Sequence, residues 1–170
     1  KVADPGTLPF EYTPAGQRAK IATLLGLLRD LPGVESAAAA MNAPYGRSSW
    51  SSSISVAGRN FDYGANEATD SFRETMRLDV TKGRWFDRTD AAVPGEAIVI
   101  NERLARELFG SEDPVGRTVT PDPPRLAEFP RQPPMVIVGL WVAAPGRAAL
   151  PVVRSSYQAT SGPGGVPVPA

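Results

Sequence analysis

The sequence contains no cysteine and no histidine. Those two absences exclude the usual zinc sites, a cysteine nucleophile, a serine–histidine pair and an imidazole base. They also exclude a disulfide framework. An excess of one charge is missing too, because Lys plus Arg number 18 and Asp plus Glu number 18. The basic residues are scattered, so nothing in the sequence marks a nucleic-acid or anionic-surface footprint. No stretch reaches the roughly 18 consecutive apolar residues of a membrane span, and the longest candidate, Met135 to Ala144, is too short. Phosphate-loop, G-x-S-x-G and S-x-x-K motifs are absent as well. Thr81-Lys82-Gly83 has the wrong order to cradle a phosphate, and Gly162-Pro163-Gly164-Gly165 precedes no helix.

What is present is enough apolar material for a core. A 42% hydrophobic share in 170 residues suits one compact domain or two small lobes. Both ends read as linkers: residues 1–13 are polar and proline-spotted, a linker or a poorly formed first strand. Residues 158–170 form a Gly/Pro-rich tail too poor in apolar side chains to offset ordering entropy, and are expected to be flexible. The chain starts at Lys1 without a signal peptide, so a piece of a longer protein is expected.

Between the ends, helical and strand signals alternate. Thr13 as N-cap and Pro14 at the first helical position open a helix that Pro32-Gly33 ends. Its Ile21, Leu24, Leu25 and Leu28 share one face, which is expected to dock on the rest of the fold. Val34 to Met41 reads as a strand of small side chains, Gly46 to Ser53 as a serine-rich loop holding Trp50, and Gly58-Arg59-Asn60 as a turn. Ala97 to Ile100 is a short apolar strand. Asn101 then caps a helix over residues 102–109, with Leu104, Ala105, Leu108 and Phe109 as its buried stripe and Gly110 past its end. Val115 to Thr120 and Met135 to Val142 read as strands, joined by a proline-heavy connection over residues 121–134. The pattern predicts a mixed α+β fold.

Candidate chemistry is sparse. Asp87 and Asp90, with Asp79 nearby, could hold a hard cation, and Glu112-Asp113 could form an acid/base pair. Loop acids more often cap turns and face water, and adjacent acids in a turn rarely converge on one substrate. Trp85-Phe86 beside a turn reads as core. Trp50 and Phe129 are the candidate partner contacts, both in predicted loops. No catalytic residue, metal ligand or cofactor site is expected.

Several segments together resemble the extracytoplasmic domain of MacB/FtsX-like ABC transporter permeases, the MacB-like periplasmic core domain. The resemblance is carried by Leu31-Pro32-Gly33-Val34-Glu35-Ser36-Ala37, by Phe72-Arg73-Glu74-Thr75-Met76 and by Lys82-Gly83-Arg84-Trp85-Phe86. It continues through Ala97-Ile98-Val99-Ile100-Asn101-Glu102, Leu104-Ala105, Phe109, Glu112-Asp113-Pro114-Val115-Gly116-Arg117 and Ile137-Val138-Gly139. After that last strand Leu140-Trp141-Val142-Ala143-Ala144 replaces the Gly-Asp and Arg usual in such domains.

The resemblance implies a core domain over residues 14–157, combining a βαβ-type porter-like lobe with a mostly β inserted lobe. It implies a bacterial permease whose flanking membrane helices lie outside this chain. The implied partners are a cytoplasmic ATPase, a second permease subunit, and a periplasmic protein or exported substrate. The implied place is the extracytoplasmic face of the inner membrane, and the implied role is coupling ATP hydrolysis to export or mechanotransmission. Two other readings stand beside it. One is a free-standing binding or adhesion module using Trp50 and the proline-rich connection. The other is a hydrolase working with two carboxylates across a cleft.

Overall fold

A run of six residues with no exposed side chain, Glu96–Asn101, lies at the centre of the molecule in the computed structural model. The structure describes residues 14–42, 50–92, 94–121, 133–142 and 152–155. In chain order the elements are α1 (Pro14–Arg29), β1 (Trp50–Val56), β2 (Arg59–Ala68), α2 (Phe72–Met76) and β3 (Asp79–Gly83). Then come β4 (Glu96–Asn101), α3 (Glu102–Phe109), β5 (Thr118–Pro121), β6 (Met135–Val142) and β7 (Val152–Ser155). The fold is mixed α+β, as the sequence predicts.

The strands run in the order β3-β6-β4-β7-β2-β1-β5, and β5 also pairs with β6. Six of the seven strands therefore close on themselves, from β6 through β4, β7, β2, β1 and β5 back to β6. Closure leaves those strands no free edge along their paired lengths. β4 and β6 are parallel, and α3 follows β4, giving the βαβ-like unit. β7 lies between β4, to which it is antiparallel, and β2, to which it is parallel.

Side-chain alternation gives each strand an inner and an outer row. The inner rows supply Ile54, Ala65, Ile98, Val119, Ile137 and Val152, one or more from every strand of the ring, and α3 adds Leu104 and Ala105. Tyr63 donates its hydroxyl hydrogen to the Met135 sulfur within this cluster, at 3.9 Å. The outer rows supply Ala68, Val99, Trp141 and Val153, which pack with Phe72, Trp85 and Phe86. Trp85 and Phe86 stack with ring centroids 4.6 Å apart, so they are core as expected.

Local chemistry explains several elements. Ala57 and Gly58 both have positive φ, the conformation of a two-residue hairpin turn, and they join β1 to β2 in register from Val56↔Arg59 to Trp50↔Ala65. The turn is thus one residue earlier than expected, and Arg59 and Asn60 already belong to β2. The Asn101 side chain accepts a hydrogen bond from the Leu104 amide at 2.8 Å, the expected cap of α3. Gly139 meets a different demand. A Cβ there would overlap the Arg84 carbonyl oxygen, so only glycine lets the segment after β3 cross β6 this closely.

Three expectations need correction. Trp50 is the first residue of β1 rather than part of a loop, because the serines after it pair with β2. Residues 34–41 form no strand; among the described residues they make one bridge, Ala40↔Ala68, since β1 takes the rest of that edge of β2. Val115 to Arg117 belong to a turn, and β5 starts at Thr118.

Candidate functional site

The acids singled out as candidate ligands or catalysts are held by neighbouring cations and turns. The buried Asp90 carboxylate receives hydrogen bonds from both Arg84 amino groups and from the Asp87 amide. The Arg84 guanidinium holds Asp90 below the ordinary carboxylate range against the opposing effect of burial. Asp87 receives the Thr89 hydroxyl and amide, which lower its pKa. Asp113 binds Lys82 at 2.8 Å and accepts from the Val115 amide; Lys82 is the main cause of its lowered pKa. Glu112 pairs with Arg117 at 2.5 Å. Asp87 and Asp90 thus share the Arg84 guanidinium, Asp113 and Glu112 each hold a separate cation, and Asp79 opens β3 opposite Val142. Among the described residues no group of three or more Asp and Glu could hold a metal ion.

A second charged group lies inside the ring. Glu96 on β4 forms a two-pronged ion pair with Arg154 on β7, and both side chains are nearly buried. Register places Arg154 opposite Ile98 on one side and beside Glu67 of β2 on the other. Alternation puts Glu67, Arg154 and Glu96 on the inward face that carries Ala65, Val152 and Ile98. Strands β4 and β7 are thus bridged by Glu96 and Arg154, whose planar fork suits two-pronged carboxylate binding, with Glu67 of β2 at the register position beside Arg154. Burial raises the pKa of Glu67 above its ordinary value. Arg154 opposes that rise most strongly, Glu96 adds to it, and Arg18 of α1 opposes it. Losing one partner of a buried pair costs about 3–5 kcal/mol. Sequence reasoning missed this group. Its signals were a lone acid heading the apolar run of β4 and an Arg after two valines, but the partners are 58 residues apart.

The third feature is α1. Its docked side is the line Arg18, Leu25 and Arg29, at i, i+7 and i+11, which helical geometry places along one edge. Arg18 acts on the charge of Glu67, Leu25 is buried, and Arg29 donates to the Ala37 carbonyl oxygen at 2.8 Å and to the Ser71 hydroxyl at 2.9 Å. The expected docked face is therefore wrong in all but Leu25. Ile21, Leu24 and Leu28 are exposed, because the helix is held through Leu25 and Arg29 and leaves the side with these three residues outward. Of the two predicted partner contacts, Trp50 sits opposite Ala65 at the start of β1, and Phe129 lies outside the described residues.

The fold is a closed ring of mixed strands, and Asp90, Asp113 and Glu112 are engaged in ion pairs. Comparison with known proteins names the family. The MacB-like periplasmic core domain matches residues 4–162, and the chain belongs to that family. Over 100 residues, 58% of this chain, it is 33% identical to the macrolide export ATP-binding/permease protein MacB of Chlorobium phaeobacteroides. Over 76 residues it is 34% identical to the MacB protein of Chlorobium luteolum. The matched stretches cover only 13% and 10% of those relatives.

Solved structures share the fold. The periplasmic region of MacB from Actinobacillus actinomycetemcomitans aligns with a TM-score of 0.58 at 15% identity, over 80% of this chain and 55% of that one. The extracellular domain of the noncanonic ABC-type transporter YknZ from Gram-positive bacteria aligns with a TM-score of 0.55 at 20% identity, over 78% and 60%. The resemblance read from the sequence motifs is therefore established at the level of the family.

Proposed function

We propose that this chain is part of the extracytoplasmic domain of an ABC transporter permease. In this reading it couples ATP hydrolysis in the cytoplasm to substrate export or mechanotransmission outside the membrane, and carries no catalysis of its own. The observation that carries the reading is the family match over residues 4–162. The closed ring supports it physically. A domain that passes on motion must resist shear, and paired strands around a buried core do so. Residues 14–157 are proposed as its folded part, with Trp50 and Phe129 as contact points for a periplasmic protein or exported substrate. A cytoplasmic ATPase and a second permease subunit complete the proposed assembly.

The test uses the full-length gene product in its host. We expect it in the membrane fraction, with ATPase activity that is its own or co-purifies. We also expect Arg103→Cys, at a highly exposed position on α3, to react in intact cells with a thiol reagent that cannot cross membranes. A product found in the soluble fraction without ATPase activity would support the free-standing module instead. So would a site labelled only after lysis argue against the extracytoplasmic placement.

A further inference from the structure

Residues 34–42 cross the end of β2 as a strap. Beyond the local turn at Val34, their polar contacts among the described residues run to one segment, residues 66–77, and to Arg29 of α1. The Ala39 amide donates to the Thr69 hydroxyl oxygen at 3.1 Å, and the Thr69 amide donates to the Ala39 carbonyl oxygen at 2.9 Å. The Met41 amide donates to the Glu67 carbonyl oxygen at 2.8 Å. The Asn66 side chain pairs with both backbone groups of Asn42, at 2.9 and 3.0 Å. Nearer α1, the Ser36 hydroxyl donates to that of Thr75 at 3.0 Å, and Arg29 and Ser71 both donate to the Ala37 carbonyl oxygen.

This hold is polar and carries little apolar weight. Only Ala37 is buried; Ala38 and Ala40 pack against the outer cluster of Ala68, Phe72 and Trp85. Alanine methyl groups remove little apolar area from water. The large apolar side chains of the strap, Val34 and Met41, are 36% and 58% exposed. One group favours release: the Asn42 side-chain nitrogen is buried without a hydrogen-bond partner, and lifting the strap returns it to water. The ring, in turn, does not depend on the strap. Its single bridge, Ala40↔Ala68, falls on the last residue of β2, and β1 and β7 pair with β2 without it.

Few buried apolar contacts and many hydrogen bonds near solvent mark a segment that opens short of global unfolding. We infer that residues 34–42 form a latch that releases from residues 66–77 as one unit while the ring stays closed. Latched, the strap ties the end of α1 to β2 and α2. Released, it uncovers the part of the outer cluster on which Ala38 and Ala40 pack. The device belongs to the fold and stands with or without the permease reading.

Hydrogen exchange of the full-length protein, resolved to single amides by mass-spectrometric fragmentation, tests this. The amides of Ala39, Met41, Asn42 and Thr69 all donate across the latch. They are expected to share one protection factor, about 100-fold or more below that of the Ile137 amide in the ring. Thr69→Val keeps the shape of the side chain and removes its hydroxyl. It should speed exchange at Met41 and Asn42 as much as at Ala39, about tenfold, and leave Ile137 unchanged. Acceleration confined to Ala39 and Thr69 would mean that the strap frays piece by piece, and would overturn the inference. So would acceleration at Ile137, or strap protection equal to that of the ring.

A Ser36→Cys, Thr75→Cys pair closes the latch at its other end, in a chain with no other cysteine. Oxidation should slow exchange at Met41 and Asn42 about tenfold or more, and reduction should restore it. Unchanged rates at those two amides after oxidation would show that the two ends open independently, and the latch would be refuted.

Discussion

In the ring, Ile54, Ile98, Val119, Met135, Ile137 and Val152 point inward and are 0–1% exposed. On α1, Leu24 and Leu27 are 55% and 61% exposed although the helix is as rich in leucine as any element of the chain. The difference comes from how each element meets its partners. Strands in a closed ring find both neighbours within the described residues, so their inward apolar side chains are buried, or half-buried at Val56 and Phe61. α1 has a single docked line, and burial stops there. Hydrophobic content therefore does not report the location of the core in this molecule; pairing does.

The largest effect tests that comparison directly. In the 170-residue chain, Ile137→Ala removes fully buried atoms from the ring and should lower unfolding free energy by about 2–5 kcal/mol. Leu27→Ala removes a side chain already in water and should stay within about 0.5 kcal/mol. Urea unfolding of both variants gives the two numbers. Equal losses would mean that the leucine stripe is already covered within this chain.

A smaller effect sharpens the βαβ-like unit. The Asn101 side-chain oxygen holds the Leu104 amide at 2.8 Å at the junction of β4 and α3. Asn101→Ala should cost about 1 kcal/mol, the usual loss for an N-cap, with an unchanged circular dichroism spectrum at low temperature. A loss several times larger would assign the buried Asn101 a packing role within the ring beyond its cap.

The sequence made local signals legible and long-range ones not. The Asn101 cap, the stop at Pro32-Gly33 and the apolar strands β4 and β6 depend on residues a few positions apart, and they appear where expected. β2 is hard to see because it mixes Asn, Asp, Gly and Glu with Phe, Tyr and Ala, residues poorly suited to strands, and the ring supplies what propensity does not. β7 is four residues long and is held by its neighbours and by the Arg154–Glu96 pair. Of the site, Trp50 falls in a strand where the serine-rich stretch predicts a loop, and the charges inside the ring leave only a lone acid heading β4 and an Arg after two valines as local signals. The order of family motifs, by contrast, was readable throughout, because each motif marks a turn, a cap or a close approach such as Gly139.

The smallest expected effect concerns the acid that ties the two regions together, since Glu67 lies in the ring and feels Arg18 of α1. Burial raises its pKa in the fold above the ordinary value of 4.5. Below that value Glu67 is protonated in both folded and unfolded chains and costs nothing. As the pH rises through the folded value it ionises in both, and the fold then bears the full cost of holding a partly desolvated charge. Glu67→Gln removes that cost, so its Tm should approach that of the unsubstituted chain at acid pH and exceed it at pH 7. Thermal melts at the two pH values decide the matter. A lower Tm at pH 7 would show that attraction to Arg154 and Arg18 outweighs burial, and that the charge itself holds the helix to the ring.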